Sequence, residues 1–178
     1  MGSLLLPPTV SLDLDPELEK IAASRMAGLL AATKAGIPFN MDSWDGYPAA
    51  RRRLLDAAQE AEANLVVLSG DSHNAWAFDL GGAGVEFAGT SVSSPGAESY
   101  LPFVKPDTLA HALVGANPAL KWCDTARRGY MAVELTPERA SCEWRFNETV
   151  KQRSTALSGT QRMAADHGAR RLTEGLSA

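Results

Sequence analysis

Hydrophobic and polar positions along the chain change period several times, and each change marks an element. From Asp15-Pro16-Glu17 to about Ala35, Leu18, Ile21, Ala22, Met26, Leu29 and Leu30 fall near helical spacing. This predicts a helix with one buried face, capped by Asp15 and ended by Gly36. Residues 37–47 (IPFNMDSWDGY) break the period and read as a loop. Pro48 to Ala63 restores it, with Leu54, Leu55 and Ala58 on the inner stripe and Arg51, Arg52 and Arg53 unable all to face inward. The period then drops to a short continuous run, Leu65-Val66-Val67-Leu68, as expected for a strand covered on both faces. A helix followed at once by such a strand is an α/β unit.

Beyond it, residues 75–80 and 85–89 read as strands around the glycine-rich turn 81–84. Residues 91–96 (SVSSPG) read as a loop, and 97–128 as irregular with a helix around 108–114. Residues 129–135 and 140–146 alternate and are joined by Thr136-Pro137-Glu138-Arg139, so they predict a hairpin. After Thr149 the chain turns polar. Residues 154–160 suggest a flexible stretch, and 161–172 a weak helix or no fixed structure. Three parts follow: an irregular lead over 1–14, one domain over 15–150 and a polar tail over 151–178.

Composition narrows the function classes. The chain has 178 residues, 45% hydrophobic and 21% charged, with a net charge of -4. Such a length and balance suit one domain with a core. An acidic chain does not suit a nucleic-acid scaffold. No apolar run approaches the roughly 20 residues of a membrane span. Leu4-Leu5-Leu6 stops at Pro7-Pro8 without a basic lead, so the expected compartment is cytoplasmic. Cys123 and Cys142 lack zinc-finger spacing and are expected to be small buried thiols.

The strand Leu65–Ser69 runs into Gly70-Asp71-Ser72-His73-Asn74. A carboxylate and an imidazole at the carboxyl end of a buried strand are good ligands for iron, zinc or manganese. Asp71 and His73 are therefore the candidate metal ligands, with Gly70 expected to make the sharp turn. The alternative is a capping Asp beside a surface His. Asn40, Asp42, Trp44 and Asp45 are candidates for the rim of a polar pocket; a structural cap for the following helix is the competing reading. The serines of 90–96 do not form a nucleophile elbow and are expected to support the neighbouring loop. No phosphate-cradling glycine loop occurs. His111 and His167 have no acidic or cysteine partners at ligand spacing and read as structural or solvated.

The order of these pieces is more specific than any one of them. Asn40-Met41-Asp42-Ser43-Trp44-Asp45-Gly46-Tyr47, then a helix, then Asn64 to His73, Val85-Glu86-Phe87 and Thr90 to Gly96 strongly resembles the carboxyl-terminal half of PhoD-like alkaline phosphatases, within the metallophosphatase superfamily. Asn117 to Trp122, Arg128-Gly129-Tyr130, Leu135 to Arg139 and Trp144-Arg145-Phe146 look like that family's closing hairpin. The resemblance covers roughly residues 20–150. It implies an α/β (α+β) fold that forms part of an αββα sandwich and lacks the amino-terminal half. It implies a hydrolase of phosphomonoesters and phosphodiesters that uses iron and calcium and a metal-activated water. Asp71 and His73 match its Gly-Asp-x-His ligands, and Asp42, Trp44 and Asp45 its Asp-x-Trp-Asp-Gly-Tyr loop. Members are often exported.

The family's other ligand loops have no counterpart before residue 40, so the site is expected to be incomplete in this chain. Half a sandwich is also expected to expose apolar surface. Two expectations stand side by side. In one, the chain is catalytic when completed by a partner polypeptide carrying the amino-terminal half or by a longer gene product of which it is a piece; self-association could cover the exposed face. In the other, it is a truncated non-catalytic remnant or a binding module.

Overall fold

The computed structural model describes residues 42–174. The helix expected over 15–35, the lead over 1–14 and Asn40 lie outside the described residues. Two four-stranded sheets face each other, with helices on the far side of the first.

A short 3-10 turn, Trp44–Gly46, leads into α1 (Pro48–Glu60). Proline at the first position suits a helix start, where its missing N–H is not needed. The first sheet holds β1 (Leu65–Ser69), β2 (Ala75–Asp79), β3 (Gly84–Ala88) and β4 (Leu120–Asp124) in the order β1-β3-β2-β4. β1 pairs parallel to β3, with Val66 opposite Val85 and Leu68 opposite Phe87. The approach at its start needs glycine: a Cβ on Gly84 would lie 2.0 Å from the Leu65 carbonyl oxygen. Between β3 and β4 come a single helical turn, α2 (Ala97–Tyr100), and α3 (Pro106–Ala116). The second sheet is a meander of β5 (Gly129–Leu135), β6 (Arg139–Asn147), β7 (Leu157–Asp166) and β8 (Thr173–Glu174).

The period-2 rule sorts side chains to the two faces of each strand. From the first sheet, Ala75, Ala77, Val85 and Phe87 face the second. They meet Cys142, Trp144 and Phe146 of β6 and Met163 and Ala165 of β7. The other face of the first sheet carries Phe78, Leu80, Leu120 and Cys123 against Val104 and Leu109 and Leu113 of α3. The outer face of the second sheet is polar, with Glu143 held by Arg145 at 3.0 Å and Arg162 at 3.2 Å. Exposed apolar surface is nonetheless present: Leu68 is 52% and Leu135 65% exposed.

Three expectations change. The segment read as flexible and then weakly helical is mostly strand: Leu157–Asp166 pairs along β6 from Leu157↔Asn147 to Asp166↔Arg139. Its Gly, Ser, Gln and Ala content argues weakly for strand, but Met163 and Ala165 fill the inter-sheet core, and tertiary packing decides. The helix expected around 108–114 spans 106–116, and residues 120–124, read as irregular, form β4. Both cysteines are free and buried, as expected.

Candidate functional site

β1 ends at Ser69, whose hydroxyl donates to the buried carboxylate of Glu86 on β3 at 2.5 Å. The chain then reverses within five residues. Gly70 was expected to make the turn, but the left-handed backbone falls on Asp71 (φ 69°) and His73 (φ 58°) instead. A Cβ on Gly70 would meet nothing within 4 Å. The Ser72 N–H donates to the Gly70 carbonyl at 2.8 Å, closing a three-residue turn centred on Asp71. That turn with positive φ is rare and strained for a residue with a side chain. Each such residue costs on the order of 1–3 kcal/mol and persists only where its surroundings fix it.

Here the surroundings are explicit. Asn74, 8% exposed, donates back to the Ser72 carbonyl at 2.8 Å and accepts from the Ala97 N–H at 3.0 Å. The Trp76 indole N–H donates to the Ser72 hydroxyl at 2.7 Å. The Thr90 hydroxyl lies 3.1 Å from the His73 carbonyl and 2.8 Å from that of Arg127. The buried Arg128 guanidinium reaches the same His73 carbonyl at 2.7 Å. Gly96 is wedged among them: a Cβ there would lie 2.6 Å from Asn74 Oδ1, 2.7 Å from the His73 carbonyl oxygen and 2.8 Å from Arg128 Nη2. Only glycine fits.

The His73 ring is equally constrained. Its Nδ1 sits 2.9 Å from the Pro95 carbonyl oxygen. A carbonyl only accepts, so Nδ1 carries the proton, and in the neutral ring Nε2 keeps its lone pair. Metal-binding histidines are oriented in this way, with one nitrogen tied to a backbone carbonyl and the other left for the ion. Asp71 is exposed at the tip of the same loop. The residues present thus fit two donors of a transition-metal centre, one imidazole and one carboxylate. Among the described residues no three His, Cys, Asp or Glu side chains gather to hold an ion.

The loop over 42–47 is built separately. The Ser43 hydroxyl accepts from the Asp45 N–H at 3.3 Å and caps the 3-10 turn. Tyr47, not Asp45, is the N-cap of α1, and it makes no side-chain cap bond. Trp44 and Asp45 are half-buried and Asp42 is exposed. The hydrogen-bond partners of residues 70–74 outside the loop itself are Trp76, Thr90, Pro95, Ala97 and Arg128, none of them in 42–47. The loop over 90–96 supports its neighbour, as its polar sequence suggested. His111 is solvated on α3, its Nδ1 2.6 Å from the Asp107 carbonyl. Thr90, Glu98 and Arg128 also belong to the site, and the sequence does not single them out as its side chains. The one available signal was the run of small residues over 91–96, whose loop carbonyls need donors.

This is a partial α/β sandwich whose candidate ligands, Asp71 and His73, lie in the loop at the end of one strand. The profile of the PhoD-like phosphatase family matches residues 18–144. The chain belongs to that family and corresponds to a carboxyl-terminal portion of it. Alkaline phosphatase D of Bacillus subtilis (strain 168) is 32% identical over 136 residues, which are 71% of this chain and 22% of that protein. A solved structure of PhoD superposes with a TM-score of 0.61 at 26% identity, covering 78% of this chain and 27% of that one. The chain therefore spans only about a quarter of the length of these relatives.

Proposed function

We propose that this chain supplies one flank of a metal-dependent phosphoric-ester hydrolase site. The observation that carries the reading is the His73 ring, tied through Nδ1 to the Pro95 carbonyl, which leaves Nε2 its lone pair in the same loop as Asp71. Asp71 and His73 would hold the metal together with ligands from the amino-terminal portion of the fold. When bound, the metal would neutralise phosphoryl oxygens and lower the pKa of a water for in-line attack. The chain's own contribution is geometric. It keeps the imidazole in one tautomer and holds a carboxylate within the same turn. Its loops also present these donors at the end of a sheet where ester substrates can reach them. Phosphomonoesters and phosphodiesters are the substrate class, and the amino-terminal portion of the fold, in a partner polypeptide or in a longer gene product, completes the site. Family membership and the likeness to alkaline phosphatase D support this substrate class.

The purified chain, loaded with Mn²⁺ or with Fe³⁺ and Ca²⁺, should be assayed for retained metal and for hydrolysis of p-nitrophenyl phosphate. The same assay is run on Asp71→Ala/His73→Ala. Metal retained by the wild-type chain and lost in the double variant, with any turnover lost alongside, supports the reading. A wild-type chain that retains no more metal than the double variant would overturn it in favour of a non-catalytic interaction module; turnover is expected only once the amino-terminal portion of the fold is supplied.

A further inference from the structure

Arg128 lies between β4 and β5, far in sequence from the ligand loop, and is 7% exposed. Burying a guanidinium is costly unless its hydrogens are all engaged. Nη1 reaches the His73 carbonyl at 2.7 Å, the Ser94 carbonyl at 2.7 Å and the Ser91 hydroxyl at 3.2 Å. Nη2 reaches Glu98 Oε2 at 2.8 Å and the Ala126 carbonyl at 2.8 Å. Glu98 in turn accepts from the Gly96 N–H through both oxygens at 3.1 Å. One planar group therefore ties together the loop after β1, the loop after β3 and the loop after β4.

We propose that Arg128 is the positioning residue that sets the tautomer and aim of His73. Two constraints act on that histidine, and Arg128 controls both. It grips the His73 carbonyl, which holds the left-handed backbone at φ 58°. It also grips the Ser94 carbonyl and, through Glu98, the Gly96 N–H, which bracket Pro95. The Pro95 carbonyl is the acceptor for His73 Nδ1. With the bracket loosened, that carbonyl drifts from the ring, and the imidazole loses its reason to keep the proton on Nδ1. Lysine cannot replace this arrangement, because an ammonium offers three hydrogens from one point rather than a planar fork. The role stands on loop geometry; only its consequence for metal binding rests on the function proposed above.

The test is the ¹⁵N spectrum of the histidine rings in the metal-free chain, at a pH where they are neutral, together with the Mn²⁺ affinity by titration calorimetry. Wild-type His73 should show a protonated Nδ1 and an unprotonated Nε2. In Arg128→Lys the His73 signals should move toward the Nε2–H form, and Mn²⁺ should bind about tenfold or more weaker, the usual loss on removing a group that orients a ligand. His111 is an internal control, since its Nδ1 is tied to the Asp107 carbonyl on α3 and should not move. If Arg128→Lys does not fold, Glu98→Gln decides: it leaves the guanidinium in place and should shift His73 in the same direction by less. A folded Arg128→Lys with an unchanged His73 tautomer would overturn the proposal. So would an unchanged Glu98→Gln where the lysine variant is unfolded, or a wild-type His73 protonated on Nε2. Wild-type failure to bind Mn²⁺ with the expected tautomer shift intact would count against the function alone.

Discussion

The space between the two sheets and the loops at the end of β1 lie in one fold but are held by opposite means. Between the sheets, Trp144 is fully buried, packs edge-on to Phe87 at 5.8 Å and lies 4.8 Å from Trp122. Its single polar atom, the indole N–H, donates to the Ala88 carbonyl at 2.9 Å. Stability there comes from apolar area removed from water, a non-directional force that tolerates small shifts. At the loop end, little apolar surface is buried. Two side-chain-bearing residues sit in left-handed conformations, held by hydrogen bonds that converge from three segments. Directional bonds fix positions but leave little net stability, because each replaces a bond to water. One region keeps the protein folded, and the other spends part of that stability on geometry.

The sharpest way to break this contrast is Trp144→Ala. Emptying so large a buried site should cost about 3–5 kcal/mol, read as a lower urea midpoint. A loss below about 1 kcal/mol would show that the inter-sheet packing is not what holds the fold. A smaller effect comes from the buried thiols. Burial pushes the Cys142 thiol from 9.0 up to about 12, with Glu143 adding to the rise, and does the same to Cys123, with Asp124 adding. In the unfolded chain these thiols ionise near 9, while in the folded chain they stay protonated. Their contribution to stability is therefore fully present below pH 9 and is lost as pH rises toward 12. A Cys123→Ala/Cys142→Ala variant should lose less stability than the wild type across that window; parallel curves would contradict the assignment.

Local sequence made some of this fold legible. The aliphatic run of β1, the helix from Pro48 and the β5–β6 hairpin each carry their period within a few residues, so reading them needs no tertiary information. β7 does not: Ser158, Gly159, Gln161 and Ala164 are weak strand formers, and the pairing with β6 decides their state. The site divides in the same way. Asp71 and His73 are two positions apart and follow a strand, so they stand out. Gly70 invited a turn assignment that the structure moves to its neighbours, because hydrogen bonds from residues 90–98 and 128 support left-handed backbone where none is intrinsically favoured. Arg128 stands out in the sequence only as part of the Arg128-Gly129-Tyr130 motif. Its role depends on three loops meeting, and no spacing rule encodes that.

The proposed metal-binding flank at the end of β1 rests on Asp71 and His73. Paramagnetic broadening by Mn²⁺ of the ¹⁵N-labelled, metal-free chain tests it most directly. Substoichiometric Mn²⁺ should broaden the amides of residues 70–74 and the His73 ring before any others, and Asp71→Ala/His73→Ala should abolish this. Broadening centred elsewhere, or unchanged in the double variant, would contradict a metal flank at these residues.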